Sequence, residues 1–109
     1  MPANIARHAE MRTLKSAVES QHGGSVTHVE SVPVTETFQG QTVWEGVVEV
    51  FDIEGNAKST RAYAWSSPID GSSKRRIFAV LHLGGIRSPQ DAVRAAIAAE
   101  HRENHQNGR

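Results

Sequence analysis

Lys58-Ser59-Thr60-Arg61-Ala62-Tyr63-Ala64-Trp65-Ser66 and, after a polar loop, Arg75-Arg76-Ile77-Phe78-Ala79-Val80-Leu81-His82-Leu83 are the two stretches whose reading decides the fold. Successive side chains of a strand point to opposite faces. Ala62 and Ala64 therefore lie opposite Arg61, Tyr63 and Trp65, and Ile77, Ala79, Leu81 and Leu83 lie opposite Arg76, Phe78, Val80 and His82. Both faces of the resulting sheet are partly apolar: the two helices of so short a chain are expected to cover one face, and the other must then meet something else.

Working outward, Thr42 to Ile53 is the most β-prone stretch, entered through a turn at Phe38-Gln39-Gly40-Gln41 and left through Glu54-Gly55-Asn56. Ser25 to Phe38 is rich in Val and Thr, but Pro33 has no N–H to give a ladder, which predicts an edge strand or a break there. Before it, Met11, Leu14 and Val18 recur at helical spacing, with Ile5 extending the stripe, and Gly23-Gly24 stops a helix that begins near Pro2. After the last strand, Gly84-Gly85 ends the extended run. Ser88-Pro89-Gln90-Asp91 then opens a second helix, with a capping serine, proline at the first helical position and an acid three residues after the cap. Its stripe, Ala92, Val93, Ala96 and Ile97, is narrow and small, suited to close approach to a sheet. The expected fold is α+β: an amino-terminal helix, an antiparallel meander of three or four strands, and a carboxy-terminal helix packed on the sheet. One domain over residues 1–100 is expected, followed by a polar tail at 101–109 with nothing to bury and an expectation of disorder.

The helix–strands–helix order is similar to that of the double-stranded-RNA-binding domain, which packs two helices on one side of a three-stranded sheet. Here the second helix opens Ser88-Pro89-Gln90-Asp91 without a lysine cluster. The resemblance therefore implies topology and not function.

Composition narrows the chemistry. Twelve basic residues balance twelve acidic ones, so no net field draws the chain to nucleic acid or an anionic surface. Without cysteine there is no disulfide, thiolate nucleophile or Cys-ligated metal. The amino terminus is too polar for a signal sequence, and no segment approaches the roughly 20 apolar residues of a membrane span. A cytoplasmic protein without membrane attachment is expected.

Matching aliphatic rows with aliphatic rows places Trp44, Val48, Val50, Ala62, Ala64, Ile77, Ala79, Leu81 and Leu83 on a helix-covered face. The other face then carries Arg61, Tyr63, Trp65, Arg76, Phe78, Val80 and His82 with Glu45 and Glu49, the acids pairing with Arg61 and Arg76 across strands. Three readings of it compete: core beneath the second helix, a subunit interface rich in aromatics and arginine, or a nucleic-acid surface where rings stack on bases and cations meet phosphate. The interface reading predicts a protein partner, a homodimer first, joined through the sheet face or the Pro33 edge, with Arg61, Tyr63, Trp65, Arg76, Phe78 and His82 at the contact. The nucleic-acid reading is the alternative and adds Lys74 and Arg75 as phosphate contacts, although a basic run at a strand entrance is more commonly a solvated edge.

Catalytic and metal motifs are weak by comparison. His101 and His105 share a helical face but lack a third ligand, and Asp70-Gly71-Ser72-Ser73 is turn chemistry without a paired base. Glu45 and Glu49 on a regular strand stand about 13 Å apart, too far to act as acid and base together. No cofactor, metal or catalytic residue is assigned.

Overall fold

The computed structural model describes residues 3–69 and 71–107, with side chains from Ala9 to Glu100. Its elements are α1 (Ala3–His22), β1 (Ser25–Phe38), β2 (Gln41–Glu54), β3 (Arg61–Pro68), β4 (Arg75–Leu81) and α2 (Pro89–Asn107). The strands form one antiparallel meander in the order β1-β2-β3-β4. The helix expected to end near His101 continues to Asn107, while His101 and His105 have side chains outside the described residues, as does all of Asp70.

The two helices lie on opposite faces, not together on one face as expected from the sequence and as in the RNA-binding domain, because each face carries its own apolar row; the second face is therefore covered by α2. α1 crosses mainly beneath β4, and α2 lies over β1 and β2. Against α1, Leu14 and Val18 meet Val26, Phe51, Ile53, Ala62, Ala64 and Leu81. Against α2, Ala92 and Val93 meet Val34, Val48, Val50, Tyr63 and Trp65, with Trp44, Phe78 and Val80 partly buried beside them. The small side chains of α2 let it sit close to the β1–β2 half, and the large rings of β3 and β4 reach across to it.

Matching aliphatic rows therefore misplaced one strand. In the register Val50 stands opposite Tyr63 and Phe51 opposite Ala62. Trp44, Val48 and Val50 consequently share the aromatic face, and Glu45 and Glu49 the alanine face. What sets this register is the β2–β3 connection. The Ile53 N–H donates to the Thr60 carbonyl at 2.8 Å, and Asn56 Oδ1 accepts from the N–H groups of Lys58 and Ser59 at 2.8 and 2.9 Å. The same Asn56 donates through Nδ2 to the His22 carbonyl at 2.7 Å, tying the turn to the end of α1. The expected acid pairs change accordingly. Arg61 meets Asp52 at 3.3 Å, Arg76 lies 3.8 Å from Glu100, and Glu49 accepts from His28 and Ser31. Leu83, expected under a helix, lies past the strand end and is exposed.

β1 runs unbroken through Pro33 but carries a bulge between His28 and Glu30. An extra residue there inverts the alternation. Val26 thus points to α1, whereas Val32 and Val34, also even-numbered, point to α2. At the far end of the hairpin, Gln39 and Gly40 take φ of 51° and 80°, the two left-handed positions that a two-residue hairpin turn needs.

The start of α2 is built as its sequence implies. Ser88 Oγ accepts from the Asp91 N–H at 3.1 Å, and the Asp91 carboxylate accepts from the Arg87 N–H at 3.1 Å. The helix is then held to β1 through Glu36, whose carboxylate accepts from Gln90 Nε2 and, at 3.0 Å to each oxygen, from Arg94 Nε. The Gln90 hydrogen bond, then Arg94, hold the Glu36 carboxyl below its ordinary value of 4.5 against the opposing effect of desolvation. Among the described residues no helix is long and apolar enough to cross a membrane.

Two outcomes are expected. Phe51→Ala, at a ring with no exposed surface in the α1 core, lowers unfolding stability by about 3–5 kcal/mol in denaturant titration. A depressed folded-state value means that the Glu36 contribution is complete above pH 4.5 and is lost as pH falls through the folded value. Thermal unfolding on acidification should therefore lose this increment in the wild type, and the acid-side slope should be shallower in Glu36→Gln.

Candidate functional site

β2 pairs with β1 along nearly its whole length, but with β3 only from Glu49↔Ala64 to Asp52↔Arg61. β3 continues to Pro68, paired there with β4 alone. The sheet therefore opens into two hairpins beyond Glu49 and Ala64. Main-chain direction alternates along a strand, and the Ile53 N–H faces β3. By that alternation the main-chain groups of Val47 and Glu45 also face the β3 side, where no strand remains to pair with them.

A side chain spans the opening in place of a ladder. Trp44 Nε1 donates to Ser67 Oγ at 2.8 Å, and its ring meets Trp65 edge to face, with centroids 6.2 Å apart. The indole can lie there because residue 46 is glycine, where a Cβ would stand 2.8 Å from indole Cη2 and Cζ2. Behind Trp44, Trp65 stacks on Phe78 at 5.1 Å, and the Arg76 guanidinium lies 4.9 Å from the Phe78 centroid.

The opening has two mouths. On the α2 side is a cavity of about 540 Å³ walled by Val43, Trp44, Trp65, Pro68, Ile69, Phe78, Val93 and Ile97, with Arg76 and Glu100 at its rim. On the α1 side, a recess of about 200 Å³ is lined by Glu10, Glu45, Val47, Glu49, Ser66 and Arg75, and shares Glu10, Ser66 and Arg75 with a hollow of about 560 Å³ along α1. Val43, Val47 and Ile69 expose 48, 45 and 42% of their surface around the opening.

Of the face residues expected from sequence, Arg61, Tyr63, Trp65, Arg76, Phe78 and His82 do share one side of the sheet, but not as an open aromatic surface. Tyr63 and Trp65 are each only 2% exposed beneath α2. Burial keeps the Tyr63 phenol above its ordinary value of 10.0, and its hydroxyl is hydrogen-bonded to His82 Nδ1 at 2.5 Å. Phe78 and His82 are half-buried and Arg76 is exposed. Lys74 lies exposed in the loop, and Arg75 donates to the Ser66 hydroxyl and carbonyl at 2.8 and 3.1 Å. Among the described residues no three His, Cys, Asp or Glu side chains are grouped to hold a metal ion.

The residues that sequence reasoning missed are Trp44, Gly46, Val43, Ile69 and Glu100. One signal was available for the first two. Trp44-x-Gly46 puts a large ring and an empty position side by side in one row of a strand. No family model matches the chain, and no curated protein or solved structure matches it either.

The seating of Trp44 is testable. Gly46→Ala forces the indole from its place, breaks its bond to Ser67, and should cost about 1–3 kcal/mol, the range for overpacking. Denaturant unfolding reads the loss, and tryptophan emission should shift to the red. An unchanged spectrum and midpoint would show that the ring does not depend on this glycine.

Proposed function

We propose that this chain is a non-catalytic protein-interaction module whose binding surface is the open end of the sheet. The observation that carries the reading is the end of β2–β3 pairing at Glu49↔Ala64, beside an aromatic-walled cavity. The outer edges support it by contrast. On β1, Glu19 accepts from the Val26 N–H at 3.3 Å, Pro33 has no N–H, and Gln90 donates to the Thr35 carbonyl at 3.1 Å. On β4, His22 Nε2 donates to the Ala79 carbonyl at 2.8 Å. Caps and a proline of this kind discourage strand addition, and they fall on β1 and at Ala79 of β4, whereas the opening beside Glu45 and Val47 has only the Trp44 side chain across it.

A homodimer joined face to face is poorly served by this geometry, since each face carries a helix. An edgewise join at the open end is what the molecule offers to a second copy or to another polypeptide. A cytoplasmic setting belongs to the same proposal. Nothing specific favours nucleic acid: Tyr63 and Trp65 have no free surface for stacking, and Arg61, Arg75 and Arg76 each have protein partners.

A photoreactive residue placed at Val47 in the full chain, and in a control at exposed Lys15 on α1, tests the reading in cells of the source organism. A discrete adduct from Val47 and none from Lys15 is expected. No adduct at Val47, or the same adducts at both positions, would overturn the open end as the binding surface.

A further inference from the structure

The two mouths of the opening differ in chemistry, and an added strand would present one row of side chains to each. On the α2 side its alternate residues would meet Val43, Trp44 and Phe78, an apolar wall backed by the buried Trp65. On the α1 side the intervening residues would meet three carboxylates, Glu10, Glu45 and Glu49, against one guanidinium, Arg75. That guanidinium is turned to the Ser66 hydroxyl and carbonyl. The carboxylates accept from Ser66 at 2.6 Å, Thr35 at 3.4 Å, and His28 and Ser31 respectively, and among the described residues none is bridged to a lysine or arginine. Opposite charge on an extended ligand is therefore favoured on that side and like charge opposed.

We propose that the occupant is an extended peptide segment that adds to β2 at Glu45–Val47 as a strand, with apolar residues alternating with lysine or arginine. The main-chain N–H and C=O groups of Glu45 and Val47 supply the ladder, the aromatic cavity takes the apolar row, and the acidic recess takes the basic row. This is the recognition mode in which backbone bonds give affinity and pockets for alternate side chains give specificity. The inference rests on the interaction reading above and adds to it the class of partner.

The test uses the full chain, isotope-labelled, titrated at low salt with a short capped peptide alternating valine and lysine. Two further peptides serve as comparisons, one alternating valine and glutamate and one of the valine–lysine composition in two blocks. Saturable amide shifts centred on Glu45 to Val47, a change in tryptophan emission and weakening with added salt are expected for the alternating lysine peptide. Val47→Pro removes an N–H facing the opening while the β1-side bonds, carried by the even-numbered residues, stay; it should weaken binding about tenfold or more. Should that variant not fold, Glu45→Gln with Glu49→Gln supplies the second reading, lowering affinity several-fold for the lysine peptide.

Absence of saturable shifts, or equal binding of the glutamate or block peptide, would overturn the proposal. So would the same amides shifting with protein concentration alone, since a second copy would then be the occupant. A Val47 adduct in cells together with a silent peptide would leave the interaction reading standing and remove only this partner class.

Discussion

The register between β2 and β3 is the constraint on which the rest of the molecule depends. With Val50 opposite Tyr63, the Trp44–Val48–Val50 row joins the row of Tyr63, Trp65, Phe78 and Val80. One face then holds most of the aromatic rings, and the other holds Ala62, Ala64, Ala79 and the aliphatics around Phe51. A slip of one residue would put the rings of β3 against the Phe51 row and leave valines facing alanines. The short β2–β3 turn, held by Asn56, prevents that slip, and the same asparagine fixes the turn to the end of α1. Local turn chemistry thus decides which helix can cover which face.

Much of the fold was legible because the signals were local. Ser88-Pro89-Gln90-Asp91 is a helix start that can be read without any knowledge of its surroundings, and so is the apolar stripe of α1. The strands and their turns followed from alternation and from Gly and Asn positions. The pairing of rows between strands was not local, and similarity of side chains was a poor guide to it. Aliphatic β2 rows pack against aromatic β3 rows because each face is completed by a helix rather than by uniform composition. The Val29 bulge was also hidden, since nothing in Thr27-His28-Val29-Glu30 distinguishes an extra residue from a regular one. Its purpose shows only when Val26 and Val34 are found under different helices.

The site was harder to read, for a related reason. Arg61, Tyr63, Trp65, Arg76, Phe78 and His82 do lie on one face, as alternation within β3 and β4 requires. Their exposure depended on where α2 lies, and the small residues of that helix bring it over β1 and β2, where it covers Tyr63 and Trp65. What remains accessible is set by where pairing stops, a property of two strands together that neither states alone.

The open end has a physical logic of its own. A buried backbone group without a partner is costly, so strands that part must leave their main-chain groups to water or meet them with side chains. Here the second solution is only partial. Trp44 reaches across to Ser67 over Gly46, but a single indole N–H cannot replace the several bonds of a ladder. Glu45 and Val47 are exposed accordingly, and so is Val43, displaced by the bulge between Glu36 and Thr37. Bulges that increase twist are a common means of ending strand pairing. This one lies at the point where β2 has left β3 and still holds β1. The molecule spends helix side chains and Pro33 on blunting its outer edges while leaving this inner one uncovered. That asymmetry, more than any single exposed residue, is what supports the proposed reading of the opening as a binding surface.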